Sequence, residues 1–270
     1  MTNTQAPILV TGAGSGMGQA TARRLLAGGR AVVATDINLD ALSDLAGNDD
    51  LKLVRSDLRE PEKLVAELQG QPLGGIVTAA GLGPEHPVAH DVFLVNGVSP
   101  FAIMEGLVGQ LVPGASIVNY ASMVAHLSDE KFDDVLENPL DPTLRDRTDL
   151  FKDAAEAYVY SKRRIWKGSL EKAVEWAPDV RVNAISPGII DTPMTKRGQA
   201  NDEWTRKTTD RIPMKRLGTP DEAAQVVEFL LGATYLTGVL IPVDGGALTA
   251  RNLHVEKKAK AAAAENASVS

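Results

Sequence analysis

The feature that most constrains the fold of this chain is an alternation of short β-branched stretches with longer amphipathic ones. The stretches PILVT (7–11), RAVVATD (30–36) and LKLVRSD (51–57) predict strands, because each is short, apolar and bounded by turn residues. Helical periodicity fills the intervals near 16–28 and 38–46. The N-terminal part of the chain is therefore predicted to form two overlapping strand–helix–strand units.

The same alternation continues along the chain. Four more strands and three more long helices are predicted, at GGIVTAAG (74–81), 91–112, ASIVNYAS (115–122), 153–176, VRVNAISPG (180–188), 220–232 and GVLIPVDGG (238–246). Apolar strands separated by amphipathic helices favour an α/β protein with a Rossmann fold, a doubly wound parallel β-sheet with helices on both faces. We predict a single domain over 1–250, with an insertion at about 127–152 and a flexible C-terminal tail over 251–270.

Composition argues against several classes of function. The net charge of −7 provides no basic excess for binding nucleic acid or an anionic membrane, and we find no apolar run of the ~18 residues that a membrane span requires. The chain has no cysteine and only four scattered histidines, so no metal site is predicted. We therefore expect a cytoplasmic protein whose chemistry relies on hydroxyls, carboxylates, lysine or a cofactor.

A glycine-rich loop follows the first predicted strand. Its sequence, TGAGSGMG at 11–18, does not fit GxGxxG, because the sixth position is not glycine in either alignment, but it fits TGxxxGxG. Glycines between a strand and a helix let the backbone turn tightly and approach a pyrophosphate, which the helix N-terminus then stabilises. The position of the loop favours dinucleotide binding over a plain glycine turn.

Asp36 ends the second predicted strand, 18 residues after Gly18. A carboxylate there can accept hydrogen bonds from both hydroxyls of an adenosine ribose and would repel a 2′-phosphate. No Arg or Lys stands within Ala13–Met17 or directly after Asp36, so NAD(H) is predicted over NADP(H). Capping a helix is the alternative role for Asp36. Asp57 is equally compatible with binding the adenine amino group and with capping the helix that begins near Glu60.

Two tyrosine–cation pairs compete on the predicted helix 153–176. A spacing of four residues places Tyr158 beside Lys162, and Tyr160 beside Arg164 on a different face. A phenol with a pKa of about 10 is a poor base at neutral pH, and a neighbouring cation lowers that pKa by stabilising the phenolate. Lysine can also hold ribose hydroxyls and pass protons, whereas a guanidinium stays charged. Proton chemistry favours Tyr158, and Tyr160 is predicted to pack or hydrogen-bond elsewhere.

A set of motifs in a fixed order gives the chain a resemblance to a known family. These are TGxxxGxG at 11–18, Asp36, Asn96, Ser122, YxxxK at 158–162, PG at 187–188 and VDGG at 243–246. Over almost the whole chain, from Ile8 to about Gly246, the set resembles the short-chain dehydrogenase/reductase family. Within that family, AAGLGP at 79–84 and the long insertion are similar to the 3α-hydroxysteroid dehydrogenase/carbonyl reductase type.

The resemblance implies a catalytic group of four residues. Tyr158 would be the general acid/base, and Ser122 would hold the substrate oxygen. Lys162 would lower the tyrosine pKa and bind the nicotinamide ribose, and Asn96 would hold a relay water. Taken singly, Ser122 could instead be an ordinary strand-end hydroxyl and Asn96 a surface amide.

The resemblance also implies a cofactor site, with Ile189 against the nicotinamide ring and Thr192 bonded to its carboxamide. The cofactor-binding residues that it implies are Gly12, Ser15, Gly16, Met17, Gly18, Asp36, Asp57, Leu58, Ala80, Gly81, Tyr158, Lys162, Pro187, Gly188, Ile189 and Thr192. The implied cofactor is NAD.

The implied activity is that of an NAD-dependent oxidoreductase that interconverts a secondary alcohol and a ketone on an apolar, cyclic, steroid-like substrate. Terpenoid and aryl alcohols are alternative substrates. The residues predicted to line the pocket, which could equally be ordinary packing residues, are Met123, Val124, Leu127, Ile190, Met194 and Trp204. A regulator that senses NAD without turnover is disfavoured by the intact Ser, Tyr and Lys, and a nucleotide-sugar epimerase by the spacing of the glycine loop.

The sequence departs from the family pattern near the sheet edge. Thr78 begins TAAG where the family usually has NNAG, and Ala121 stands where a second serine is common, so side-chain hydrogen bonds are lost. Ser122 and Tyr158 are 36 residues apart, so the insertion must loop out for the two to meet. Family members commonly form tetramers, in part through the tyrosine-bearing helix, and a homo-oligomer, dimer or tetramer, is expected.

Overall fold

The predicted strands form one parallel sheet. The computed structural model describes residues 6–45, 47–126, 142–199, 201–255 and 257. Its strands are β1 (Ile8–Thr11), β2 (Val32–Asp36), β3 (Leu51–Arg55), β4 (Leu73–Thr78), β5 (Leu111–Tyr120), β6 (Val180–Pro187) and β7 (Leu240–Val243). All pairings are parallel, in the order β3-β2-β1-β4-β5-β6-β7. The strand order reverses between β1 and β4, and the carboxyl ends at such a switch point form a ligand-binding crevice.

Helices cover both faces of the sheet. They are α1 (Gly16–Ala27), α2 (Pro61–Glu67), α3 (Ala89–Phe93), α4 (Ser99–Leu107), α5 (Ala154–Glu175), α6 (Pro193–Gln199), α7 (Asp202–Arg211) and α8 (Pro220–Gly232). Neighbouring residues of β1 point to opposite sides, Leu9 into an apolar cluster with Met104 and Ile165, and Val10 into one with Leu25 and Val227. Both faces of the sheet are therefore buried, which confirms the doubly wound α/β fold.

Two predicted helices differ in the structure. The second is a short 3₁₀-helix, Asp40–Leu45, instead of an α-helix over 38–46. The helix predicted over 91–112 is divided by a π-helical turn, Leu94–Val98, between α3 and α4. Pro100 lies at the start of α4 and has no N–H to donate to the carbonyl four residues earlier, which accounts for the break in the regular α-helical pattern.

The helical run Ala89–Gln110, with a mean hydropathy of 1.5, is long and apolar enough to cross a membrane by length and composition alone. The sequence analysis found no such run. More than half of this stretch, 56%, is buried inside the fold, as in the core helix of a soluble protein. Its apolar character is therefore explained by packing against the sheet.

Much of the predicted insertion lies outside the described residues, which omit 127–141. The described remainder contains a 3₁₀-helix, Pro142–Asp146, and ends at Asp153, whose side chain accepts a hydrogen bond from the backbone N–H of Glu156 and so caps α5. At the C-terminus, residues 247–255 are helical, so the chain continues as a helix past the point where a flexible tail was predicted to begin. Residues 258–270 lie outside the described chain.

Candidate active site

The glycine loop is fixed by steric limits on its backbone. Gly12 and Gly16 have φ of +69° and +53°, a region that favours glycine. A Cβ on Gly12 would lie 2.5 Å from the Cα of Ala80, and one on Gly18 would lie 2.2 Å from the carbonyl oxygen of Gly12. Larger residues would therefore displace main chain at the carboxyl ends of β1 and β4.

Thr11, the first residue of the motif, ties the loop to β4. Its hydroxyl oxygen accepts hydrogen bonds from the backbone N–H groups of Ala79 and Ala80, at 3.1 and 3.2 Å. The small residues after β4 are therefore held against the glycine loop, and the two segments form one rim of the crevice.

Asp36 is not a helix cap. Its two carboxylate oxygens accept hydrogen bonds from the backbone N–H groups of Gly14 and Asn38, at 2.9 and 3.0 Å, and the N–H of Asp40 donates to the side chain of Asn38 instead. A Cβ on Gly14 would lie 2.1 Å from the carbonyl oxygen of Asn38. The sequence analysis gave Gly14 no role, although a fourth glycine in the loop was a visible signal.

A cation that the sequence analysis missed lies next to Asp36. Arg55 is the register partner of Asp36 across the β2–β3 pairing. Its Nε donates to the carbonyl oxygen of Ile37 at 2.9 Å, which fixes the guanidinium near the end of the crevice that contains Asp36.

Asp57 does not cap α2 either, because the N-cap residue is Glu60. The carboxylate of Asp57 binds the guanidinium of Arg59, with Nε to Oδ2 at 3.0 Å, and accepts the backbone N–H of the same residue. These hydrogen bonds lower the pKa of Asp57. Arg59 also reaches Asp91 at 3.4 Å, so it links two acidic side chains.

These segments enclose a cleft of about 420 Å³ along the carboxyl ends of the strands. The predicted cofactor-binding residues in its lining are Gly12, Ser15, Gly16, Met17, Gly18, Asp36, Asp57, Leu58, Ala80, Gly81 and Thr192. Residues that sequence reasoning did not name complete it, among them Ile37, Ser56, Arg59, Leu82, His86, Asp91, Val95, Pro193 and Arg197. Tyr158, Lys162, Pro187, Gly188 and Ile189 do not line this cleft.

Ser122, Tyr158 and Lys162 meet beside the cleft, as predicted. The hydroxyl of Ser122 forms a hydrogen bond with Tyr158 that lowers its pKa, but burial outweighs this effect, and the pKa of Tyr158 is raised overall. The Nζ of Lys162 lies 5.7 Å from the centre of the Tyr158 ring and donates to the carbonyl oxygen of Tyr120 at 2.9 Å. Burial lowers the pKa of Lys162 to about 8. The predicted lowering of the tyrosine pKa by Lys162 is thus not seen.

Asn96 lies in the π-helical turn and is buried. Its side-chain amide makes two hydrogen bonds with Leu82, accepting from the backbone N–H at 2.8 Å and donating to the carbonyl oxygen at 2.9 Å. Both ends of the amide are therefore engaged, so the side chain holds a backbone segment. Pro100, four residues later, has no N–H to donate to the carbonyl of Asn96.

Gly81 lies between the cleft and the side chains of Asn96 and Lys162. A Cβ at this position would lie 3.4 Å from Oδ1 of Asn96 and 3.9 Å from Nζ of Lys162. Gly81 also lines the cleft, so the side chains of Lys162 and Asn96 lie directly behind this part of its wall.

Tyr160 faces away from the cleft. It is fully buried, and its ring centre lies 5.5 Å from that of Phe93 and 5.2 Å from that of Phe151. Arg164 packs its guanidinium 5.5 Å from the ring centre of Phe101. The prediction that Tyr160 packs elsewhere is confirmed.

The predicted nicotinamide loop follows β6. Gly188 donates its N–H to the carbonyl oxygen of Val243 at 3.0 Å, and a Cβ there would lie 2.8 Å from the Cα of Asp244. Thr192 reaches the cleft, whereas Ile189 lines a second cavity, of about 310 Å³, between this loop and β7. The predicted contact of Ile189 with a nicotinamide in the cleft is therefore not supported by its position.

The six residues predicted to line a substrate pocket do not line one common cavity. Met194 lines the cleft and Ile190 the second cavity. Met123 and Val124, in a 3₁₀ turn after Ser122, line neither of the two cavities, and the same holds for Trp204 in α7. Leu127 lies outside the described residues.

Thr78, one of the departures from the family pattern, makes a sheet-edge hydrogen bond of its own. Its hydroxyl donates to the amide oxygen of Asn119 at 2.6 Å, and the amide nitrogen of Asn119 donates to the hydroxyl of Ser169 at 2.9 Å. Thr78 therefore has a buried polar partner at the sheet edge. In the part of the chain that is described, no group of three or more His, Cys, Asp or Glu side chains is arranged to hold a metal ion.

Comparison with known proteins gives two family profiles, short chain dehydrogenase over residues 6–132 and enoyl-(acyl carrier protein) reductase over residues 148–248. The chain is 32% identical over 260 residues to the 3-oxoacyl-(acyl-carrier-protein) reductase FabG of Thermotoga maritima, with 88% of this chain and 96% of the relative covered. It is 29% identical over 257 residues to a 3-alpha-hydroxysteroid dehydrogenase/carbonyl reductase of Comamonas testosteroni, and the match covers 88% of this chain and 95% of the relative.

Among solved structures, the fold matches the 3-alpha-hydroxysteroid dehydrogenase of Pseudomonas sp. B-0831 complexed with NADH. The TM-score is 0.76 at 26% identity, and the match covers 90% of this chain and 98% of that one. The seven-stranded parallel sheet described above is therefore shared with a protein of known structure that binds a nicotinamide cofactor.

Proposed function

The chain belongs to the short-chain dehydrogenase/reductase family of oxidoreductases, and from that premise we propose that it is an NAD(H)-dependent enzyme that interconverts a secondary alcohol and a ketone. The observation that carries the proposal is the meeting of Ser122, Tyr158 and Lys162 beside a cleft lined by the glycine loop and Asp36. A dinucleotide site and a proton-transfer group adjoin at Gly81.

The residues of the cleft fit a dinucleotide. The glycine loop has no room for side chains, so its backbone can approach a pyrophosphate closely. At the N-terminus of α1, the side chain of Ser15 makes no capping hydrogen bond and the first turn holds no acidic residue, which leaves the helix N–H groups for an anion. A bound nicotinamide would supply or accept the hydride, and the protein contributes orientation and proton transfer.

Preference for NAD(H) over NADP(H) is inferred from Asp36. Its carboxylate lines the cleft and would repel a 2′-phosphate while accepting hydrogen bonds from ribose hydroxyls. The NADH in the Pseudomonas structure supports a nicotinamide cofactor. Arg55 keeps its positive charge, because its Nε donates to the neutral carbonyl of Ile37, but it does not line the cleft, whereas Asp36 does. We therefore retain NAD as the proposed cofactor.

The proposed proton path begins at Tyr158, which takes the proton of the alcohol or returns it to the ketone. Ser122 holds the substrate oxygen next to the phenol. Lys162, which keeps most of its positive charge at neutral pH with a pKa of about 8, would bind the nicotinamide ribose beside the phenol. We propose that a relay water lies between Lys162 and Asn96, outside the side-chain amide of Asn96, which is engaged with Leu82.

An apolar, cyclic, steroid-like substrate is proposed on the basis of the two hydroxysteroid dehydrogenases to which the chain is similar. Leu82, Val95 and Met194 give the cleft apolar lining, which suits such a substrate. Terpenoid and aryl alcohols remain alternative substrates for the same type of reaction.

We propose a cytoplasmic homo-oligomer, dimer or tetramer. β7 is one of the two edge strands of the sheet, and Phe229 in α8 and Tyr235 after α8 are 58% and 101% exposed, which leaves apolar surface for a second copy. Light scattering that gives a monomeric mass at working concentration would refute the oligomer.

The function is tested by measuring nicotinamide absorbance during oxidation of cyclic secondary alcohols, including 3-hydroxysteroids, with NAD⁺ and NADP⁺. Tyr158→Phe removes the proton-transfer group, and we expect a loss in kcat/KM of roughly 10²–10⁴-fold. Tyr160→Phe is the matched control, because Tyr160 is on the same helix but packs against Phe93 and Phe151. It should retain near-normal activity.

Near-normal rates in Tyr158→Phe would show that the catalytic assignment is wrong. Tight NAD binding with no turnover of any alcohol would favour the second candidate, a regulator of the same fold that senses NAD. A specificity constant for NADP⁺ equal to or above that for NAD⁺ would overturn the cofactor assignment.

A further inference from the structure

One histidine, His126, follows the proposed catalytic serine by four residues. It ends a 3₁₀ turn, Met123–His126, that begins directly after Ser122. Within this turn the backbone N–H of Ala125 donates to the carbonyl oxygen of Ser122 at 3.0 Å, and the N–H of Val124 donates to its hydroxyl oxygen at 3.4 Å. The position of the Ser122 hydroxyl is therefore coupled to the position of the turn.

The imidazole of His126 reaches the end of β6. Its Nε2 forms a hydrogen bond of 3.1 Å with the hydroxyl of Ser186, which is fully buried. Ser186 directly precedes Pro187 and Gly188, with which the predicted nicotinamide loop begins. The hydrogen bond thus links the turn after Ser122 to the strand end from which that loop departs.

The ring of His126 also packs against α5. Its centre lies 5.0 Å from that of the Trp166 side chain, and the two rings are inclined by 39°. Trp166 follows Lys162 by four residues and Tyr158 by eight, so the three side chains lie on one face of the helix. The imidazole is therefore in contact with the face of α5 that carries the proposed proton-transfer group.

The two contacts of His126 have different chemical requirements. Burial lowers the pKa of the imidazole, and the negative charge of Asp244 opposes this effect, so the ring is mostly neutral at neutral pH. A neutral imidazole has one N–H and one bare nitrogen, and Nε2 accepts from or donates to the Ser186 hydroxyl according to the tautomer. The link to Ser186 thus needs a hydrogen-bonding atom at Nε2, whereas the contact with Trp166 needs a ring.

Ser122 is the member of the proposed catalytic group that lies on a separate segment. Tyr158 and Lys162 share α5, and Nζ of Lys162 is held by the carbonyl oxygen of Tyr120 at 2.9 Å. Ser122 instead follows β5, so its distance from the phenol depends on contacts between its turn and α5. The ring contact of His126 with Trp166 is such a contact.

We propose that His126 is a positioning residue that holds the Ser122 hydroxyl between Tyr158 and the substrate oxygen. The hydrogen bond to Ser186 fixes the turn against β6, and the ring contact with Trp166 fixes it against α5. His126 acts through Ser122, and the inference rests on the proposed function because it takes Ser122 to hold the substrate oxygen. A shift of the hydroxyl by about 1 Å is enough to slow the reaction by up to roughly a hundredfold.

The first test uses His126→Leu, which removes both contacts, in the full-length protein. We expect kcat for the alcohol that the wild type oxidises best to fall roughly tenfold to a hundredfold. The dissociation constant for NADH should stay within about twofold, because His126 does not line the cleft and adds no contact to the cofactor. His254→Leu is the matched control, since this histidine is exposed in the helical segment 247–255, and it should change neither quantity.

The same substitution in a Ser122→Ala background distinguishes positioning from general support of the fold. If His126 acts through the Ser122 hydroxyl, His126→Leu should cause no further fall in the residual kcat once that hydroxyl is absent. A merely structural role would lower kcat by the same factor in both backgrounds.

Two milder variants separate the contacts of His126. His126→Gln keeps an amide near the position of Nε2 and loses the ring, whereas His126→Phe keeps the ring on Trp166 and loses the hydrogen bond. Each should retain more activity than His126→Leu. Ser186→Ala should lower kcat about as much as His126→Phe, and the double variant should be no slower than either, because both changes remove one hydrogen bond.

Wild-type kcat in His126→Leu, loss of NADH binding in that variant, or additive effects with Ser122→Ala or Ser186→Ala would each overturn the inference about His126. Turnover that depends on Tyr158 would still be measured in the wild type in these cases, and the proposed function would stand. Absence of wild-type turnover with every alcohol would instead refute the proposed function, and the role of His126 with it.

Discussion

The part of the crevice that we propose binds the nucleotide, the nucleotide half, and the part that we propose binds the substrate, the substrate half, are built in different ways. In the nucleotide half, the backbone sets the shape, since added Cβ atoms on Gly12 and Gly18 would fall within 2.5 Å of main-chain atoms. In the substrate half, the shape is set by side chains that contact residues far away in the sequence. For example, Nζ of Lys162 donates to the carbonyl oxygen of Tyr120. Backbone limits leave a local motif in the sequence, whereas side-chain placement depends on contacts between segments far apart in the chain.

Gly18→Ala should give the largest effect on stability and NADH binding, because it adds a Cβ where the backbone leaves no space for one. The new Cβ would lie 2.2 Å from the carbonyl oxygen of Gly12, so the loop must move. We expect a loss of about 3 kcal/mol in the free energy of unfolding and a loss of NADH binding. Urea denaturation and fluorescence titration with NADH measure the two effects.

Gly109→Ala is the matched control, because a Cβ at that glycine meets nothing within 4 Å. It should leave both the stability and the affinity for NADH nearly unchanged. If Gly18→Ala bound NADH as well as the wild type, the nucleotide half would not be limited by its backbone, and the contrast between the two halves would fail.

Lys162→Met tests the substrate half through the pH dependence of stability. Burial lowers the pKa of Lys162 from 10.5 to about 8, so between these values the unfolded chain binds more protons than the folded one. The stability of the wild type should therefore rise with pH over this interval, because the penalty for burying the charged lysine disappears. Relative to Lys162→Met, the free energy of unfolding should rise by about 2 kcal/mol between about pH 8 and pH 10.

Urea denaturation of both proteins across this pH range measures the difference. Groups that titrate in both proteins cancel, so the comparison isolates Lys162. Parallel stability curves would mean that the ammonium is well solvated, and that the lysine is not part of a buried catalytic group.

The alternation of strands and helices was enough to predict the doubly wound fold, because burial of a parallel sheet on both faces requires that pattern. Periodicity does not specify which backbone hydrogen bonds form within a helix. The 3₁₀-helix Asp40–Leu45 and the π-helical turn Leu94–Val98 were therefore missed. The proline at position 100 was a signal for the second of these, because it removes one N–H from the helix.

In the site, motif spacing indicated which residues meet but not what each one contacts. The pairing of Asp57 with Arg59 joins two residues of the turn between β3 and α2, where neither helical nor strand periodicity applies, so no periodic pattern predicts it. The side chain of Asn96 was predicted to hold water and instead holds Leu82. The raised pKa of Tyr158 depends on burial, which the sequence around YxxxK does not encode.

Arg59→Ala should give the smallest effect, and it probes the one part of the nucleotide half that side chains control. Arg59 now occupies the carboxylate of Asp57, which was predicted to receive the adenine amino group. If adenine binds there, removing the competing guanidinium should strengthen NADH binding, by at most about fivefold for an exposed ion pair. Fluorescence titration with NADH measures the change, and Asp57→Asn should weaken binding in the same assay.

Weaker binding by Arg59→Ala would have the opposite meaning, since it would show that the guanidinium itself contacts the nucleotide. Asp57 would then act by positioning Arg59, with Asp91 as the second anchor at 3.4 Å. Either outcome distinguishes the adenine end from the glycine loop. At the adenine end, exposed side chains compete as binding partners, whereas in the glycine loop steric limits fix the backbone.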